Sequence, residues 1–240
     1  MLNDACADPS APAGRVSAWV RRWSHLVPPG ATVLDVACGA GRHVRWFAGR
    51  GHAVTALDRD AAVLAPLRDA ATVVQADIES NPWPLTGTTF GAVIVTNYLW
   101  RPLWPSLLAS VAEGGVLFYE TFSAGQSSVG KPSNPDFLLR PGELLQAVGG
   151  LRVVAYEDGF GDDACDGGDG AHPAARFVQR IVAVHEPLVV VGQGGMFRKH
   201  FRYLTSYKGL AFFTRSPTAL ALPRRAEVVA ARAISIPEMY

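Results

Sequence analysis

Hydrophobic positions along the chain follow two spacings, short β-branched runs and stripes recurring every three or four residues. Residues 15–26 place Val16, Trp19, Val20 and Trp23 at helical spacing, which predicts an amphipathic lead-in helix stopped by Pro28-Pro29-Gly30. TVLDVA (32–37) then reads as a central strand buried on both faces, because its apolar residues do not alternate with polar ones. After a glycine turn, RHVRWFAGRG puts Val44, Phe47 and Ala48 on one helical face and ends at glycines. AVTALD (53–58) predicts a second strand, and DAAVLAPLRDA a second helix that Pro66 must kink or shorten. TVVQAD (72–77) and FGAVIVTN (90–97) predict a third and a fourth strand. Residues 103–112 carry Leu103, Leu107, Leu108 and Val111 on one helical face, and GVLFYETF (115–122) reads as a fifth strand. Pro141 is placed to open a helix containing Leu144, Leu145 and Val148. RVVAYE (152–157) and FVQRIVAVH (177–185) have no helix between them, so they predict an antiparallel pair.

This order predicts an α/β fold: a Rossmann-like, doubly wound seven-stranded sheet, mostly parallel, closed by an antiparallel C-terminal hairpin. In such sheets the ligand crevice lies at the carboxyl end of the first strand, where strand order reverses. The 240 residues suit one medium domain, and a 49% hydrophobic content is enough for a sizeable core. Net charge of +1 excludes no partner, but it is unevenly distributed. Residues 1–186 hold 14 Lys/Arg against 19 Asp/Glu, whereas 187–240 hold 8 against 2. The expected organisation is therefore a main domain over 1–186 and a short, basic, strand-prone extension over 187–240.

Cys6, Cys38 and Cys165 fit no zinc or disulfide spacing, so no metal is expected and a reducing compartment is the simpler reading. The first ten residues do not read as a secretory signal, and no apolar run approaches the length of a membrane span. These readings predict a cytoplasmic protein without a membrane partner.

The glycine turn carries the first chemical signal. Dinucleotide-binding folds place G-x-G-x-x-G after the first strand, and here Gly39 and Gly41 are followed by Val44 where the third glycine belongs. Asp35-Val36-Ala37-Cys38-Gly39-Ala40-Gly41 instead resembles the first motif of class I S-adenosylmethionine-dependent methyltransferases. Asp58 closes the second strand, where a carboxylate can accept two hydrogen bonds from vicinal ribose hydroxyls. Asp77 closes the third and is followed by Ile78, and Asn97 closes the fourth.

The resemblance covers about residues 15–186 and is nearest to small bacterial methyltransferases of the tellurite-resistance and small-molecule type, which NYLWRP (97–102) and residues 119–145 also resemble. It implies S-adenosyl-L-methionine as cofactor, bound by Asp35, Ala37, Cys38, Gly39, Gly41, Asp58, Arg59, Asp77, Ile78 and Asn97. By the same resemblance, Gly39 and Gly41 let the turn approach the methionine part of the cofactor. Asp35 orients the loop and the ammonium, and Asp77 with Ile78 faces the adenine.

Methyl transfer is an in-line displacement and needs a general base only when the acceptor arrives protonated, so the catalytic residues are not read directly. Asn97 and Tyr98 are candidates to position an acceptor, and Glu120 is either a base or an ion-pair partner. His43 either faces the cofactor carboxylate or packs inside, and Cys38 reads as a small packing residue. Asn134-Pro135-Asp136-Phe137 reads as loop and helix-entry chemistry, and the aspartates of 158–170 as an acidic hairpin loop rather than a calcium site.

The expected function is an enzyme, a methyltransferase acting on a small-molecule acceptor. The alternatives are RNA or protein methylation through the basic residues 187–240, or a non-catalytic S-adenosylmethionine-binding module; nucleic acid binding is the less favoured reading of that extension. An oligomer is compatible with either reading.

Overall fold

The computed structural model describes residues 14–161 and 176–186, with the backbone of 206–207 and 210–211. Seven strands form one sheet: β1 (Val33–Val36), β2 (Val54–Asp58), β3 (Thr72–Gln75), β4 (Phe90–Thr96), β5 (Val111–Phe122), β6 (Arg152–Gly161) and β7 (Arg176–Val184). Their order is β3-β2-β1-β4-β5-β7-β6. β1 to β5 run parallel, and β7 is antiparallel to both β5 and β6. The doubly wound sheet with its C-terminal hairpin is the architecture that the sequence predicts.

Strand order turns back beside β1, which pairs with β2 on one side and β4 on the other. A crevice therefore opens at the carboxyl ends of β1 and β4. All four residues of β1, Asp35 among them, are buried, which explains why its apolar positions do not alternate with exposed polar ones. Leu34, Val36, Val93, Val95, Leu117 and Leu144 pack into a core on one face of the sheet.

The helices are short. α1 (Ala18–Trp23) buries Trp19, Val20 and Trp23, and Ser17 caps it by accepting the N–H of Val20. α2 (Arg42–Ala48) follows β1, and α3 (Ala61–Leu64) tightens into a 3-10 turn at Ala65–Leu67, where Pro66 sits. α4 (Trp104–Ala109) ends two residues before Val111, which pairs with Phe90 in β5 instead of lying on a helix. The strand starts early because a register shift between β4 and β5 spans the Gly114-Gly115 pair. At Gly115 a Cβ would stand 2.8 Å from a backbone oxygen, so only glycine passes there without displacing the strand. α5 (Glu143–Ala147) is preceded by Gly142 in the left-handed region (φ 70), so Pro141 lies outside the helix rather than opening it.

Two compact units divide the chain, 1–197 and 198–240. In the second, β8 (Ser206–Tyr207) pairs antiparallel with β9 (Leu210–Ala211). The rest of the expected extension 187–240, and most of the acidic loop 158–170, lie outside the described residues. Among the described residues no helix is long and apolar enough to cross a membrane.

Candidate active site

The turn after β1 is shaped by backbone that leaves the usual regions three times. Ala37 (φ 52), Gly39 (φ 51) and Gly41 (φ 77) are all left-handed, and so is Asn97 (φ 55) just past the end of β4. Asn tolerates that region, whereas Ala pays steric strain there of about 1 kcal/mol or more. Ala37 and Asn97 follow neighbouring strands, because Val36 pairs with Val95. The backbone bends sharply on both sides of the crevice.

Asp58 holds this turn. Its Oδ2 accepts the N–H of Gly39 at 2.9 Å, and its Oδ1 accepts the N–H of Asp60 at 3.0 Å. Cys38 donates its N–H to the Leu57 carbonyl at 3.1 Å, so β2 steadies the turn twice. Each Asp58 oxygen has lone-pair capacity left over, and the side chain is only half-buried. Around Gly39 a Cβ would meet nothing within 4 Å, so space lies open on that side. Gly41 differs. A Cβ there would stand 2.5 Å from a methyl of Leu67, so internal packing excludes a side chain, not only ligand approach.

Asp35 is buried in the middle of β1. Burial pushes its carboxyl up to about 7, Asp58 adds to the rise, and Arg42 with the Val44 N–H opposes it. Its Oδ2 is buried and accepts no hydrogen bond among the described residues. His43 is equally buried, with Nδ1 3.8 Å from that oxygen and Nε2 accepting the N–H of Ser17 at 3.3 Å. Burial, then Arg42, holds the imidazole well below its ordinary value, so it is neutral. His43 thus faces Asp35 from inside the protein, not the crevice. Val44 is fully buried, which accounts for a bulky residue at the third-glycine position. Burial, Asp35 and Asp58 push the Cys38 thiol far up, so it packs as a small neutral residue.

Asp77 lies two residues beyond the end of β3 rather than at its last position. Its Oδ1 accepts the N–H of Glu79 at 3.0 Å, and this bond, chief among several, holds the carboxyl below the usual range. Ile78 is buried against the core cluster. Tyr98 is half-buried; burial first, then the carboxylates of Glu79 and Asp77, push its hydroxyl up. Arg59 is exposed and acts electrostatically on both Asp77 and Tyr98. The structure brings Arg59, Asp77, Ile78 and Tyr98 together beside β2 and β4, and Asn97 stands exposed at the crevice.

Glu120 takes the ion-pair role of its two sequence alternatives. It is fully buried, with Arg180 Nε 2.9 Å from Oε2, Arg176 Nη2 3.4 Å from Oε1, and the Ser17 hydroxyl donating to Oε2 at 3.1 Å. Sequence reasoning missed Ser17, Arg176 and Arg180, because only the antiparallel β5–β7 register sets Glu120 against Arg180. It also missed Arg101. That guanidinium grips Glu143 through two bonds (2.6 and 3.0 Å) and donates to the carbonyls of Asp136 and Leu138, tying the loop after β4 to the loop before α5. The 134–137 segment is a short 3-10 turn, capped by Asn134 accepting the Asp136 N–H, as loop chemistry predicts.

Comparison with known proteins agrees with this fold. Residues 33–114, from β1 to the start of β5, match the family described as methyltransferase domain. TehB from Haemophilus influenzae is similar at 15% identity with a TM-score of 0.58; the alignment covers 70% of this chain and 61% of TehB, so the chain spans about three fifths of that relative's length. A putative S-adenosylmethionine-dependent methyltransferase from Listeria monocytogenes gives 12% identity and a TM-score of 0.51, covering 68% and 96%. Coclaurine N-methyltransferase bound to N-methylheliamine and SAH gives 13% and 0.51, covering 69% of each chain. No curated protein matches the sequence. Residues 33–114 are thus similar to a methyltransferase domain, and the chain shares the fold of solved S-adenosylmethionine-dependent methyltransferases.

Proposed function

We propose that the protein transfers a methyl group from S-adenosyl-L-methionine to a small-molecule acceptor, with residues 1–186 carrying the activity. The carrying observation is the half-buried Asp58 carboxylate, which anchors the Gly39 N–H and keeps acceptor capacity beside a turn where a Cβ at Gly39 would meet nothing within 4 Å. The residues fit the cofactor. Asp35 offers a buried, unsatisfied carboxylate oxygen for an ammonium group. Asp58 suits ribose hydroxyls with Arg59 beside it, and Asp77 with Ile78 supplies a polar edge and an apolar face for adenine. Ala37, Cys38, Gly39, Gly41 and Asn97 line the bend between them.

When bound, S-adenosylmethionine supplies an electrophilic methyl on a sulfonium. The protein's part is to align the acceptor and exclude water. Asn97 and Tyr98 are the candidates to position the acceptor, since both follow β4. Glu120 is left out of proton transfer, because two arginines and a serine occupy its carboxylate. A small-molecule acceptor draws support from coclaurine N-methyltransferase, whose structure holds N-methylheliamine.

Isothermal titration of the full chain with S-adenosylhomocysteine tests the cofactor reading, and micromolar binding is expected. Incubation with methyl-labelled S-adenosylmethionine and a cell metabolite extract then tests the acceptor, by mass spectrometry. No binding in the first experiment overturns the proposal; label appearing only in RNA or protein overturns the small-molecule acceptor.

A further inference from the structure

We infer that Ser17 and His43 form a positioning pair that holds the Asp35 carboxylate for the cofactor's ammonium group, coupling the segment before α1 to the methionine end of the site. The inference rests on the proposed role of Asp35 and adds the machinery behind it.

A neutral imidazole carries one N–H. His43 Nε2 accepts the Ser17 N–H, so the proton must sit on Nδ1. Nδ1 faces Asp35 Oδ2 at 3.8 Å, within electrostatic reach but longer than a hydrogen bond. Ser17 therefore sets the tautomer, and the tautomer presents a positive hydrogen to the buried carboxylate. Ser17 is anchored in turn, because its hydroxyl caps α1 and donates to Glu120 at the end of β5. A second tie lies alongside. Arg42 donates to the Arg15 carbonyl at 3.2 Å and to the Thr96 hydroxyl at 3.4 Å. Residues 15–17 thus reach the start of α2 and the end of β5 directly, and the end of β4 through Arg42.

Asp35 is faced by His43 and Arg42 from α2, by Asp58 from β2 and by Cys38 from the turn. Its register partners on β2 and β4, Ala56 and Ile94, carry no charge. With its carboxyl raised to about 7, Asp35 loses its charge as pH falls through neutrality, and affinity for the ammonium falls with it. Losing the positive Nδ1–H edge that faces Oδ2 moves that acid limb to higher pH.

Two substitutions separate the contacts, since an asparagine amide reaches the Nδ1 position and a glutamine amide the Nε2 position. Titration with S-adenosylhomocysteine between about pH 6 and pH 8.5 compares them with the native protein. His43→Asn is expected to stay within about threefold of native affinity. His43→Gln is expected to lose about tenfold or more near neutral pH and to regain most of it at the alkaline end. Equal, pH-independent losses in both variants mean plain packing and overturn the inference. A long-range proton–nitrogen spectrum of the native protein gives a readout free of folding effects, with Nδ1–H expected for His43. Binding with an Nε2–H tautomer overturns the inference and leaves the cofactor reading standing. No binding by the native protein at any pH removes both.

Discussion

The carboxyl edge of the sheet is built in two ways. On the β1–β2 side the turn is held by backbone N–H groups: Gly39 and Asp60 donate to Asp58, Val44 to Asp35, and Cys38 to Leu57. On the β5–β7 side the fastening is side chain to side chain, with Glu120 buried between Arg176, Arg180 and Ser17. Backbone donors are fixed by the fold and leave carboxylate lone pairs free for a ligand. The buried ion pairs have already used theirs. The first side is therefore suited to binding, and the second to holding the sheet together.

Substitutions should separate the two sides. Glu120→Gln leaves two buried guanidiniums without a full counter-charge and is expected to cost about 3–5 kcal/mol in urea unfolding. Its effect on S-adenosylhomocysteine affinity, measured on protein kept folded at low temperature, should be the smaller one. Asp58→Ala is the reverse case. Affinity should fall about 100-fold, about 2.7 kcal/mol, exceeding the loss in unfolding free energy. If Asp58→Ala binds as the native protein does, the assignment of the first side to binding fails.

Gly41→Ala lies between the two, because it introduces a Cβ against Leu67 at positive φ. A loss of about 1–3 kcal/mol in thermal unfolding is expected, and the same substitution should cost less when made in a Leu67→Ala background, where there is room for the new methyl. An equal cost in both backgrounds would mean that Gly41 is kept for ligand approach rather than packing. Arg101→Ala should have the smallest effect on stability, about 1 kcal/mol, since the Arg101–Glu143 pair is partly exposed. Its signature is local: limited proteolysis should cut faster within 134–143, where the guanidinium holds two carbonyls.

Much of the first side was legible in the sequence. Short apolar runs ending in Asp58 and Asn97, a glycine turn after Asp35, and Val44 in place of a third glycine are all local signals. Asp77 was legible in kind but not in place, because β3 ends at Gln75 and the carboxylate caps a turn beyond it. Val111 was misread for a physical reason: its spacing from Leu107 suits a helix, and only pairing with Phe90 makes it strand. The second side was mostly hidden. Nothing near Glu120 in the sequence points to Arg176 or Arg180, which arrive through an antiparallel register more than fifty residues later.

The sequence by itself determined the alternation of strands and helices, the place of the crevice, and the class of residue at its rim, since these follow from hydrophobic period and from short motifs within a few residues. Tertiary structure alone decided what the polar residues face. It turned His43 inward to Asp35, brought Ser17 across 26 positions to His43 and 103 to Glu120, and gave Gly41 to Leu67. A side chain's partner depends on register and helix orientation summed over the whole sheet, and no local pattern carries that information.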